Sequence, residues 1–325
     1  MKKILQIILK IGVSGGIMYF LFRGMDMQSF WATISSVKLS SVIIGVVMLG
    51  CIQMISSFRW SIILSKDVKL PYPRLLSIYF IGMFFNNFLP TIVGGDLLKG
   101  YYLYKESGKG GLALASVFMD RYAGFSALML ITFIAVLFGN KLVSGTGLAG
   151  FFILLLGGYL AASLVIWVGF LHSWAMNLMS KVHFYSINEK IDKFYKVLMS
   201  YKSHKDILVK AFICSLVVQS GVTVIHYILG TGLGINVSIG YYFLFIPLAA
   251  VASMVPISLA GLGIREGVFI FLFAKAGVPQ EQALSLSLLF FFITVTISLI
   301  GGVEYVRLGG KKDMEAASEA DGRSV

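Results

Sequence analysis

Apolar runs near the ~20 residues that cross a hydrocarbon core recur along this chain, at about 4–22, 41–64, 112–138, 148–171, 207–231 and 280–307. Helices apolar on every side are buried in a large core or span a membrane. The composition selects the second. The chain is 58% hydrophobic and 13% charged, against about 25% charged in soluble domains. The first run follows Met1-Lys2-Lys3 as in a signal peptide, but no small-x-small cleavage site follows it, so it reads as a retained helix. The expected fold is an all-α polytopic membrane protein with about six full transmembrane helices.

Loop charge orients these spans. Lys2 and Lys3 precede the first. Lys66, Lys69 and Arg74 follow the second, and Lys181, Lys190, Lys193, Lys196, Lys202 and Lys205 crowd the 172–206 stretch. Arg307, Lys311 and Lys312 follow the last. The positive-inside rule places all of them in the cytoplasm, with both termini. The net charge of +12 then reflects cytoplasmic loops next to anionic headgroups, and no nucleic-acid motif accompanies it. Residues 1–307 read as one transmembrane domain. Ile187, Ile191, Phe194, Leu198 and Tyr201 recur at helical spacing within 172–206, which predicts an amphipathic helix on the inner leaflet. Residues 308–325 read as a disordered cytoplasmic tail.

Two further apolar segments, 75–105 and 241–276, are broken by Pro, Gly and charge. The first contains LPTIVGGDLLKG from Leu89, the second VPISLAGLGIREG from Val255. If the loops are placed correctly, 75–105 enters and returns on the cytoplasmic side and 241–276 does so on the other. Two oppositely oriented re-entrant, Gly/Pro-broken helical hairpins are the signature of an inverted repeat with a binding site between its halves.

Non-helical backbone at membrane depth is tolerated only inside protein or beside a wet cavity. Gly94-Gly95-Asp96 is expected to start a half-helix with Asp96 as its N-cap, and Gly261-Leu262-Gly263 to do the same from the other side. Free N–H groups at such starts attract anions. Asn86 and Asn87 precede the first break, and Arg265 and Glu266 follow the second. Asp120 and Arg121 lie early in a span and Arg59 late in another. Lys99, Arg121 and Arg265 together can surround a phosphate, with Asp96, Asp120 and Glu266 as counter-ions. The bland alternatives are that Arg59 and Lys99 snorkel to the interface and that Asp120–Arg121 satisfies a helix contact. Cys51 and Cys214 lie in apolar runs, and no two histidines stand at ligand spacing. No cofactor or metal is expected.

FFNNFLPTIVGGDLLKGYYLYK, the DRYAGF from Asp120, and PISLAGLGIREG together resemble the lysylphosphatidylglycerol synthase transmembrane-region family, over roughly Leu5 to Arg307. The resemblance implies a polytopic inner-membrane, flippase-like domain that handles lipids. The family-like positions are Asn87, Pro90, Gly94, Gly95, Asp96, Lys99, Asp120, Arg121, Gly261, Gly263, Arg265 and Glu266. The chain ends at Val325 without a soluble synthase domain, so aminoacyl transfer is not expected. The function expected is a translocase for an anionic or phosphate-containing lipid. The rivals are an integral-membrane lipid-modifying transferase and an accessory subunit that docks a cytoplasmic glycosyltransferase. Anionic membrane lipids are the expected partners, with a homo-oligomer or a cytoplasmic lipid-pathway enzyme as further ones, and no nucleic acid.

Overall fold

The computed structural model describes residues 2–89, 94–138, 148–168, 194–253 and 262–309, and in them finds helices and no strands. In chain order these are α1 (Lys2–Arg23), α2 (Met27–Ser35), α3 (Leu39–Leu64), α4 (Tyr72–Phe88), α5 (Gly94–Ser107), α6 (Gly110–Phe138), α7 (Leu148–Trp167), α8 (Lys205–Gly232), α9 (Ile239–Ser253), α10 (Ile264–Ala274) and α11 (Gln280–Arg307). Five of them, α3, α6, α7, α8 and α11, are long and apolar enough to cross a membrane. α1 is of comparable length at 22 residues. The short helix α2 was not anticipated. Its sequence signal is Asp26, whose carboxylate accepts from the amide of Gln28 at 3.0 Å and caps the helix.

Two helices form the spine. α3 and α8 run antiparallel: Ser41 meets Gly232, Gly45 meets Leu229, and Ile52 meets Gly221. Small residues let these backbones approach, as membrane helix pairs generally require. α4 and α5 make an antiparallel hairpin, joined by Asn86 to Gly95 near the break and by an Arg74–Glu106 ion pair at the far end. α9 and α10 make a second, in which Tyr242 packs edge-on against Phe273.

The packing scheme is duplicated. α3 packs on α4, α6 and α11, and α8 packs on α9, α11 and α6. The first hairpin packs through α5 on α6 and through α4 on α11; the second packs through α10 on α11 and through α9 on α6. Two units, α3–α6 and α8–α11, therefore interlock about the α3–α8 contact, and their lead helices are antiparallel. A hairpin returns to the side it left, so each unit reverses direction at its hairpin however deep the hairpin lies. The apolar core follows this plan. Leu49, Ile52, Ile225 and Leu229 fill the spine, and Phe245, Phe269 and Phe273 fill the second hairpin.

Of the expected amphipathic helix in 172–206, residues 172–193 lie outside the described residues. Residues 194–200 are helical and lead into a turn at Tyr201–Ser203. Leu198 and Tyr201 are buried there against Ile63, Met119 and Ile207. Nearly all of the 308–325 tail also lies outside the described residues.

Candidate functional site

The first unit buries a charged cluster where α3, α5 and α6 meet. Asp120 of α6 accepts from Arg59 Nε of α3 at 2.8 Å and from Lys99 Nζ of α5 at 2.7 Å. All three side chains are less than 8% exposed. Arg59 also donates through Nη1 to Ser215 of α8 at 3.0 Å. The Lys99 ammonium lies over the rings of Trp60 and Tyr79, 4.3 and 4.2 Å from their centroids, a cation–π contact that replaces part of its lost hydration. Snorkelling is thereby corrected. Neither Arg59 nor Lys99 reaches outward, because Asp120 holds both inside and a buried charge needs a partner.

Arg121 behaves differently, although it adjoins Asp120. Consecutive helical side chains point about 100° apart, and its guanidinium turns away from the buried cluster. Its Nε donates to Asp96 at 2.7 Å, its side chain is 58% exposed, and neither Nη nitrogen is hydrogen-bonded among the described residues. Arg121 is the twelfth residue of α6, roughly 17 Å along a helix that rises 1.5 Å per residue. A charged side chain at bilayer depth is costly and is met by a partner, water or an anion.

The first break is corrected in one respect. α5 begins at Gly94, so Asp96 lies inside its first turn and is not the N-cap. Its carboxylate serves Arg121. The Gly95 amide is taken instead by Asn86 Oδ1 of α4, at 2.9 Å. Asn87 donates back to the Met83 carbonyl at 3.1 Å within its own helix. Asn86 is thus part of the break and Asn87 is not. Pro90 lies outside the described residues.

The second break builds a separate network. Gly263, at φ +88°, is the N-cap of α10, and Gly261 lies outside the described residues. Glu266 reaches back to accept from the Gly263 amide at 2.6 Å, the acidic half of a capping box. Its other oxygen accepts from Arg265 and from Ser287 of α11, the latter at 3.2 Å. Glu266 is fully buried and Arg265 is 17% exposed. A side chain at position 263 would be strained by φ and would also meet Ile17 at 3.0 Å. Gly263→Ala is therefore expected to cost about 1–3 kcal/mol, read as a lower unfolding temperature of the purified protein.

Lys99, Arg121 and Arg265, grouped by the sequence around one phosphate, are each paired with a different carboxylate, Asp120, Asp96 and Glu266. Among the described residues no hydrogen bond or ion pair joins the two networks. Lys99 is consumed by Asp120, and Arg265 belongs to the other unit. Sequence reasoning also missed Ser215, Ser287, Trp60 and Tyr79, polar or aromatic partners that carry no motif. His226 is buried on α8 with its ring 3.9 Å from that of Phe290.

A search of curated proteins finds no match to the chain. The family model described as the lysylphosphatidylglycerol synthase TM region matches residues 7–302. That span takes in both hairpins, both polar networks and the five long apolar helices except the last five residues of α11, so this multi-pass membrane protein belongs to the lysylphosphatidylglycerol synthase TM region family.

Proposed function

We propose that the chain is a lipid translocase that moves an anionic, phosphate-bearing lipid between leaflets of the cytoplasmic membrane. The observation that carries this is Arg121. Its guanidinium is oriented by Asp96, has no hydrogen bond at either Nη among the described residues, and is exposed about 17 Å along an apolar helix. Guanidinium is matched to phosphate geometry. Charge balance supports the same reading. Arg59, Lys99 and Arg121 face Asp120 and Asp96, three cations against two carboxylates, which leaves one positive charge for an anion to neutralise. The duplicated, oppositely directed units support alternating access from the two sides.

A transferase needs a positioned base or nucleophile. Asp96, Asp120 and Glu266 are each already engaged by a cation, which favours transport. In this reading the hairpins re-enter the membrane and both chain termini face the cytoplasm.

The test is translocation in proteoliposomes, using phosphatidylglycerol and phosphatidylcholine that carry a fluorescent label. The native chain is expected to move the anionic lipid faster than empty vesicles do. Arg121→Gln removes charge-assisted hydrogen bonds worth about 1.5–3 kcal/mol and is expected to slow transport at least about tenfold. Transport of neither lipid, with and without a proton gradient, or an unimpaired Arg121→Gln variant, would sink the reading.

A further inference from the structure

One register relates the two units. A shift of 167 residues, the distance from Lys99 to Glu266, carries the start of α4 at Tyr72 onto the start of α9 at Ile239. It carries α3 onto α8 to within one residue at each end. It also carries Asp120 onto Ser287, Arg59 onto His226 and Gly100 onto Gly267. The hydrogen bonds obey the same register. Lys99 to Asp120 joins the hairpin to the following span across 21 residues, and Ser287 to Glu266 does so across 21 residues. The buried polar corner of the first unit therefore has a counterpart in the second, built of different chemistry. An acid replaces the lysine, a hydroxyl the aspartate, and an imidazole the arginine.

Each corner is flanked by a guanidinium at a neighbouring position: Arg121 beside Asp120, and Arg265 beside Glu266. Arg265 donates from Nε to Glu266 at 3.0 Å and to Ser287 at 3.1 Å, and from Nη2 to Glu266. Its Nη1 has no hydrogen bond among the described residues. The guanidinium carbon lies 4.8 Å from the centroid of the Phe291 ring. Phe291 also lines an apolar groove of about 500 Å³ between α2 and α11, with Ile34, Val37, Leu288, Phe292 and Val295. Phe292 is 65% exposed on the outer surface of the bundle. Phe291 is thus common to both: it lines the apolar groove, and its ring lies against a cation whose Nη1 has no hydrogen bond among the described residues.

We propose that this corner is a second headgroup station: Arg265 holds the lipid phosphate and the groove between α2 and α11 holds one of its acyl chains. A phosphate-bearing lipid then has one station in each unit. This rests on the translocase reading and adds to it a site of entry or exit. Charge complementarity selects the headgroup, and the wholly apolar lining selects the chain.

The test uses the full chain in phosphatidylcholine vesicles that contain either phosphatidylglycerol or phosphatidylcholine carrying a diazirine in one acyl chain. After illumination, labelled residues are mapped by mass spectrometry. The anionic probe is expected to label residues 288–295 in preference to the zwitterionic one. Arg265→Gln is expected to lower that preference about tenfold, the loss of one charged anchor worth 1.4 kcal/mol or more, and Arg121→Gln to leave it. Val295→Trp fills the groove without touching the Arg265 network, and is expected to abolish the labelling. Equal labelling by both probes in the native chain, or labelling that survives Val295→Trp, overturns the proposal. If Arg265→Gln does not fold, Val295→Trp decides. Transport measured in the same vesicles separates the two readings. Arg265-dependent labelling without transport keeps the station and drops the translocase. Transport with labelling indifferent to Arg265 does the reverse.

Discussion

Asp120→Asn is expected to be among the most damaging conservative substitutions in the chain, at about 3–5 kcal/mol, the cost of breaking a buried ion pair from one side. The side chain keeps its size and loses its charge. Arg59 and Lys99, both buried, then face each other with no carboxylate between them. The triad joins three helices, so its loss unbraces α3, α5 and α6 together. Lys99→Met is expected to cost much less. Asp120 keeps its contact with Arg59, and the methionine side chain fits between Trp60 and Tyr79, where the lysine stem now lies. Thermal unfolding in detergent, followed by intrinsic tryptophan fluorescence, gives the order. Lys99→Met unfolding at or below the temperature of Asp120→Asn would show that the carboxylate is not the keystone.

The same triad shows which parts of the site were legible. Charge inside apolar runs is costly, about 2.5–3.5 kcal/mol for a residue at the helix centre on insertion scales, so Lys99, Asp120, Arg121, Arg265 and Glu266 stood out by residue type alone. Which of them pair with which did not. Asp120 and Arg121 are adjacent in sequence and go to different surroundings, because the tertiary packing of α6 decides which of two neighbours turns inward. Ser215, 156 residues from Arg59, offers no local signal. The error over Asp96 has a similar source. Asx residues after a Gly pair commonly cap helices, but here Asn86, on the preceding helix, reaches the Gly95 amide across the hairpin.

The long spans were legible because periodic apolar length is a local property. The duplication was visible only in part, since Pro, Gly and charge recur in both breaks with an extra residue between them. Its full register appears once helix ends and hydrogen bonds are fixed. The second corner carries Glu, Ser and His where the first carries Lys, Asp and Arg, too unlike in chemistry to reveal the match.

Gly95→Ala is the second substitution expected to do great harm, about 3 kcal/mol or more as overpacking against backbone. A Cβ at Gly95 falls 1.8 Å from the Gly82 carbonyl oxygen and 2.6 Å from the Asn86 amide nitrogen. Both are backbone atoms, so no side-chain rotation relieves the clash and the two helices of the hairpin must part. Parting them breaks the Asn86–Gly95 hydrogen bond and draws Lys99, one turn further along α5, away from Asp120. The effect on transport should follow, because Asp96 positions Arg121 from that same first turn. Gly100→Ala is the control. It lies on the same helix, and its Cβ would meet only Leu114 and Val117 side chains at 3.9 and 4.0 Å, an ordinary contact. There the better helix propensity of alanine, about 0.8–1.0 kcal/mol over glycine, is expected to leave stability unchanged or slightly raised. Equal unfolding temperatures for the two variants would mean that the hairpin does not close on Gly95, and with it would go the geometry that presents Arg121.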